Sequence, residues 1–245
     1  MSNAENARER RERKERAYSA RSEWGNCKTD DSEERINLAA YDFCSRSRSF
    51  PAFPALPALI MRVISGSAGG IPLRIPSHDL RPTMEMVRGA IFSALGERVI
   101  EARVLDLFSG SGAFGIEALS RGAAAATFVD DHPKAIAAIK ANLQKTRLEA
   151  AVVRSDVFRF LEKTDLTFDL IFADPPYSKH PRDPDLAAEL IASNALKNHL
   201  LEDGLLVLEK TSGNLSLEAH GWAAIRDKTY GSTQVLFLTA NRHEA

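Results

Sequence analysis

Asp106-Leu107-Phe108-Ser109-Gly110-Ser111-Gly112-Ala113-Phe114-Gly115 is the stretch that decides the fold. Val104–Phe108 reads as a short buried strand and Ala113–Ser120 as a helix stopped by Gly122, so the glycines fall where a strand turns into a helix. Downstream, Ala124–Val129 forms a second strand, and Pro133 opens a helix with Ile136, Ile139 and Leu143 at helical spacing. Ala151–Val153 is a third strand, Val157–Leu161 a helical turn or two, and Phe168–Ala173 a fourth strand. Leu186–Leu196 is helical, Leu205–Glu209 a fifth strand, and Trp222–Arg226 with Gln234–Thr239 a closing antiparallel pair. Strands and helices alternating over such short connections predict an α/β fold, Rossmann-like and doubly wound, with a mostly parallel seven-stranded sheet. Its ligand crevice belongs beyond the carboxyl ends of the strands, where the strand order reverses.

Upstream of the core, Arg62–Ser65 and Ile71–Ile75 read as an N-terminal β-hairpin around Gly66, Gly69 and Gly70. Thr83 can cap a helix that carries Val87, Ala90, Ile91, Ala94 and Leu95 on one face and ends at Gly96. Residues 61–100 therefore form a hairpin-and-helix segment ahead of a core spanning 101–245. The first sixty residues differ: Glu5 to Arg16 is a run of interleaved acids and arginines, and Pro51, Pro54 and Pro57 stand three apart. A solvated, disordered extension with a stiff linker is expected there, dispensable and of a kind that an upstream start codon would add. The acids among its arginines make it a poor targeting signal.

The 245 residues are 44% hydrophobic and 27% charged with a formal charge of −1, an ordinary composition that excludes collagen-like and disulfide-scaffold proteins. Near-neutrality argues against coating nucleic acid by bulk electrostatics but leaves room for a local basic patch. The two cysteines, Cys27 and Cys44, read as reduced thiols of a cytoplasmic protein. No apolar run of about eighteen residues exists for a membrane span. His132 and His180 lack partners at ligand spacing, so no metal site is expected.

The spacing Gly110, Gly112, Gly115 is that of a dinucleotide fingerprint, yet Asp106 stands inside the strand before it. A carboxylate there repels a pyrophosphate and suits a cationic ligand, which favours S-adenosylmethionine over NAD. Phe108 belongs to the same turn. Asp130, just after the second strand, can accept from both ribose hydroxyls. Asp131 is a weaker cofactor candidate and a better cap for the helix at Pro133. After the third strand, Asp156 can accept from an adenine amine and the Val157 N–H can donate to the ring, with helix capping as the alternative for Asp156.

The most specific signal follows the fourth strand: Asp174-Pro175-Pro176-Tyr177. Two prolines remove two backbone donors and stiffen the corner. The Asp174 carboxylate and Pro175 carbonyl can accept both hydrogens of an exocyclic base amine, while Tyr177 stacks on the ring. Held in this way, the nitrogen is aimed at a methyl group, and positioning supplies much of the rate.

Together, Asp106–Gly115 and Asp174–Tyr177 resemble class I S-adenosylmethionine-dependent methyltransferases acting on exocyclic amines. Met61 to Gly66, then Leu80 to Thr83, then Val87-Arg88 look like the bacterial 16S ribosomal RNA guanine-N2 methyltransferases, over the stretch from Met61 to about Thr239. The resemblance implies one methyl transfer to a guanine of 16S rRNA, free or in the assembling small subunit. It also implies cofactor contacts at Asp106, Gly110, Gly112, Asp130 and Asp156, with the amine at Asp174. Two departures stand in the segment expected to face RNA or support the cofactor pocket: Ser67 and Ala68 replace a large aromatic or basic residue, and Gly89 replaces an acid. Arg62, Arg81 and Arg88, with Lys179 and Arg182 after the corner, are the candidate phosphate contacts around an extruded base. The corner is shared with adenine-N6 methyltransferases of DNA or RNA, and a catalytically idle RNA-binding protein is the rival from another class. Nothing in the sequence decides oligomeric state; a monomer is the expectation.

Overall fold

Three of the strands are buried along nearly their whole length, a pattern that requires cover on both faces. The computed structural model describes residues 61–76, 83–177, 183–211 and 215–241, all within the second of the chain's two units, which begins at Leu59. The extension expected over residues 1–60, the Thr83 cap and the candidates Arg81, Lys179 and Arg182 lie outside the described residues or side chains. In chain order the core elements are α1 (Thr83–Leu95), β1 (Arg103–Leu107), α2 (Ala113–Ser120), β2 (Ala125–Asp130), α3 (Pro133–Thr146), β3 (Ala151–Arg154), α4 (Val157–Lys163) and β4 (Phe168–Ala173). Then come α5 (Leu186–Ala192), α6 (Asn194–His199), β5 (Leu200–Thr211), β6 (Trp222–Tyr230) and β7 (Thr233–Ala240).

The seven strands are ordered β3-β2-β1-β4-β5-β7-β6, with β7 and β6 antiparallel and the rest parallel. The expected doubly wound sheet is therefore present, and its order reverses between β1 and β4. One apolar layer packs Val104, Phe128, Leu170 and Phe172 against α1, α2 and α3. The other packs Leu105, Leu107, Ile171 and Leu206 against α4, α5 and α6. Trp222 closes the second layer with no exposure, its indole N–H donating to Ile191 O at 2.9 Å, so the aromatic bulk is buried and its polar atom satisfied.

Two expectations are corrected. The helix expected over Leu186–Leu196 is two helices, because Ser193 adopts extended backbone between them. Ser193 and Asn194 are residues that favour helix boundaries over interiors. The N-terminal hairpin is reduced to one antiparallel bridge, Arg62 with Pro72, supported by Val63 N–H to Ile71 O at 3.0 Å and Leu73 N–H to Met61 O at 2.7 Å. Its tip turns to side chains of α2 instead. Glu117 Oε2 and Oε1 accept from Ile64 and Ser65 N–H, and Ser120 Oγ accepts from Ala68 N–H. The loop lies so close to α2 that a Cβ on Gly66 would fall 1.8 Å from Ser120 O, at a φ of +86°. Ala68, 2% exposed, is pressed into the same contact, which accounts for the small side chain at that position, while Ser67 is exposed.

Candidate active site

Parallel register places every candidate acid at one edge of the sheet. Leu107 is level with both Val129 and Ala173, so the chain leaves β1, β2 and β4 side by side, and Asp130 is level with Arg154 of β3. The glycine turn after β1 and the Asp174–Tyr177 corner after β4 thus flank the switch point from its two sides.

The glycine turn is built under constraint. Phe108, Gly110 and Gly112 all have positive φ, at 54°, 54° and 76°. Phe108 is not a glycine, so its backbone is strained by about 1–3 kcal/mol. Ser109 holds the strained turn in place: its N–H donates to Val129 O, and its Oγ accepts from Val129 N–H at 2.9 Å and donates to Asp106 O. A Cβ on Gly110 would meet nothing nearer than Phe108 O at 3.9 Å, leaving its backbone open to a ligand. One on Gly115 would sit 2.3 Å from the Phe128 ring, so that glycine serves close helix–strand packing.

Asp106 is 2% exposed, and its Oδ2 accepts from Gly115 N–H at 2.9 Å. Burial pushes its carboxyl up to about 8, with the Gly115 hydrogen bond opposing and the Asp130 charge adding. Asp130 is half-buried; Oδ2 accepts from Gly110 N–H and Oδ1 from His132 N–H, both at 2.9 Å, tying the glycine turn to the end of β2. Asp131 is exposed, and the cap of α3 is not Asp131 but His132, whose Nδ1 accepts from Lys134 N–H at 3.2 Å. Pro133 fixes the backbone behind His132, so the residue before it inherits the cap position. Asp156 caps α4 through Oδ1 to Arg159 N–H at 2.9 Å, and Val157 beside it is buried.

At the corner, Asp174 is half-buried, Pro175 buried and Pro176 exposed. The Tyr177 hydroxyl lies 3.4 Å from Glu209 Oε1 on β5 and 3.3 Å from Thr233 Oγ1 on β7. The ring is thus steadied by two neighbouring strands at the crevice.

Arg62 is exposed and paired with Glu85 at 3.3 Å. Arg88 is corrected. It is 2% exposed, donates to Arg62 O and lies 3.9 Å from the fully buried Glu117, so it organises the N-terminal segment and presents nothing to RNA. Its burial lowers the guanidinium pKa, and Glu117 opposes that. Glu117, Asn142 and Glu209 escaped sequence reading, although a lone polar residue on the apolar face of α2 or α3 is a usable signal. Among the described residues no group of three His, Cys, Asp or Glu side chains is placed to hold a metal ion. No described helix is long and apolar enough to cross a membrane.

A family model described as "Conserved hypothetical protein 95" matches residues 61–239, the whole span of hairpin segment and sheet. The chain belongs to that family. It is 34% identical over 176 residues to ribosomal RNA small subunit methyltransferase D of Escherichia coli K12, covering 70% of this chain and 85% of that protein. The solved structure of yhhF from Escherichia coli, a protein assigned as a methyltransferase, superposes with a TM-score of 0.65 at 31% identity, over 74% of this chain and 98% of that one. At 22% identity and a TM-score of 0.58, a Thermus thermophilus 16S rRNA N2 G1207 methyltransferase in complex with AdoMet and guanosine shares the fold, over 79% of this chain and 52% of that one. The class I methyltransferase fold expected from the two motifs is therefore the fold of this family member.

Proposed function

We propose that the protein transfers a methyl group from S-adenosylmethionine to the exocyclic N2 amine of a guanine in 16S rRNA, free or in the assembling small subunit, in the cytoplasm. The observation that carries this reading is the juxtaposition at the switch point: the glycine turn after β1, with Asp106 before it and Asp130 beside it, flanks one side and the prolyl corner after β4 the other. The residues suit the cofactor. Gly110 leaves open space beside its backbone, Asp106 is a buried acid matched to an ammonium group, and Asp130 and Asp156 are acceptors at successive strand ends for ribose hydroxyls and an adenine amine. When bound, S-adenosylmethionine supplies a methyl group made electrophilic by its sulfonium.

The chain's own residues then orient the nucleophile. Asp174 and the Pro175 carbonyl accept the two amine hydrogens, and Tyr177 stacks on the base. With both N–H groups held at the corner, the amine lone pair is left facing the methyl group that bound S-adenosylmethionine would supply; the carbon–sulfur bond would break with its electron pair left on sulfur, and the amine would lose one proton. Positioning of this kind is worth several kcal/mol of barrier. The name of the 34% identical relative, a ribosomal RNA small subunit methyltransferase, supports the substrate class. The test is incubation of the full chain with radiolabelled S-adenosylmethionine and undermethylated small subunits, then mapping of the label. Label on a guanine N2 of 16S rRNA is the expected result; label on adenine, or none, overturns the reading.

A further inference from the structure

Asn142 lies on the buried face of α3 between Ile139 and Leu143, at 1% exposure. A primary amide in such surroundings is costly unless its groups are paired. Its Nδ2 donates to Ser111 O at 2.9 Å and to Arg74 O at 2.8 Å, and its Oδ1 accepts from Arg74 N–H at 2.7 Å. A flipped amide would set donor against donor at Arg74, so the orientation is fixed by its partners. One side chain thereby joins two segments remote in sequence: the carbonyl between Gly110 and Gly112 in the cofactor turn, and the backbone of the N-terminal segment.

That segment is tied to the same frame elsewhere. Ser111 Oγ contacts Met61 Sδ at 3.5 Å, and Lys145 Nζ donates to Pro72 O at 2.7 Å. Glu117 and Ser120 hold its glycine loop. Around Arg74 its fixed points lie on the glycine turn and α3, with α2 holding the glycine loop and α1 reaching Arg62, while the side chains of Arg62 and Arg74 are exposed. Arg74 therefore presents a cation on a backbone whose position is set by the turn that receives the cofactor.

We propose that Asn142 is a positioning residue that couples cofactor binding to RNA binding. A ligand seated against Gly110 holds the Ser111 carbonyl, Ser111 holds the amide, and the amide holds Arg74 where an RNA phosphate meets it. The coupling rests on the methyltransferase reading of the crevice. By linkage it is reciprocal: each ligand must tighten the other by one factor.

The experiment uses the full chain with S-adenosylhomocysteine and undermethylated small subunits as probes, each Kd measured alone and with the other probe saturating. Wild-type protein is expected to show mutual tightening of about fivefold or more, and Asn142→Ala to bind both probes with a factor near one. A factor of one in the wild type, or an unchanged factor in Asn142→Ala, overturns the proposal. Failure of the wild type to bind either probe fails the methyltransferase reading, and the proposal with it. Amide hydrogen exchange on the wild type gives a second readout that needs no variant. S-adenosylhomocysteine alone should slow exchange at the Arg74 amide, and unchanged exchange there also overturns the coupling.

Discussion

Asp106 combines a buried carboxyl with a pKa near 8, so at neutral pH it is mostly protonated before a ligand arrives. A cationic ammonium favours the carboxylate, so cofactor binding near pH 7 displaces a proton. The sign follows: affinity rises with pH up to about 8, where half of the carboxyl groups have already lost the proton, and flattens only above it. Calorimetric titration with S-adenosylhomocysteine from pH 6 to 8 should show this slope, and Asp106→Asn should bind more weakly and without it. An equal slope in Asp106→Asn would remove Asp106 from the ammonium site. Gly115→Ala would drive a methyl into the Phe128 ring and crowd Asp106 Oδ2 at 3.2 Å. Such overpacking costs about 1–3 kcal/mol. A loss of about 3–10 °C in Tm with weakened cofactor binding is expected by calorimetry, whereas an unchanged Tm would contradict the close packing.

At the scale of elements, α2 holds the N-terminal segment through Glu117, which accepts from Ile64 and Ser65 and pairs with Arg88 and Arg121. Arg88→Ala breaks a buried ion pair and should cost about 3 kcal/mol in urea unfolding. The affinity of the folded variant for small subunits should stay close to wild type. A selective loss of RNA affinity without loss of stability would instead return Arg88 to the RNA interface. These ties also explain what the sequence left illegible. β1 to β4 and the turns between them follow from apolar runs and turn residues within a few positions of each other. The glycine loop at Gly66–Gly70 reads locally as a hairpin because its true partners, Glu117 and Ser120, lie about fifty residues away and leave no periodic trace. Arg88 was misread for the same reason: an arginine beside a motif looks like a phosphate contact until its buried acid is in view. The break at Ser193 was within reach, since Ser-Asn inside a helical run is a boundary signal.

For the whole molecule, the sheet order brings the ends of β1, β2, β3 and β4 to one edge, and that follows from parallel pairing alone. The candidate cofactor acids and the prolyl corner were legible because each sits at a strand end, where local pattern and global position coincide. Asn142 was not, because its role depends on two segments that only the tertiary structure unites. The family match begins at residue 61. We propose accordingly that residues 1–60 are dispensable. A chain starting at Met61 should keep its Tm within about 2 °C and its methyl transfer, and a large loss of either would assign the extension a role.

The proposed function gives Asp174 to the amine and the glycine turn to the cofactor, so the corner after β4 is where chemistry should separate from binding. Asp174→Ala, assayed for methyl transfer to undermethylated small subunits beside calorimetry with S-adenosylmethionine, measures that separation directly. Transfer reduced by about a hundredfold or more, with cofactor affinity close to wild type, is the predicted result. Turnover near the wild-type rate in that variant would contradict the central claim.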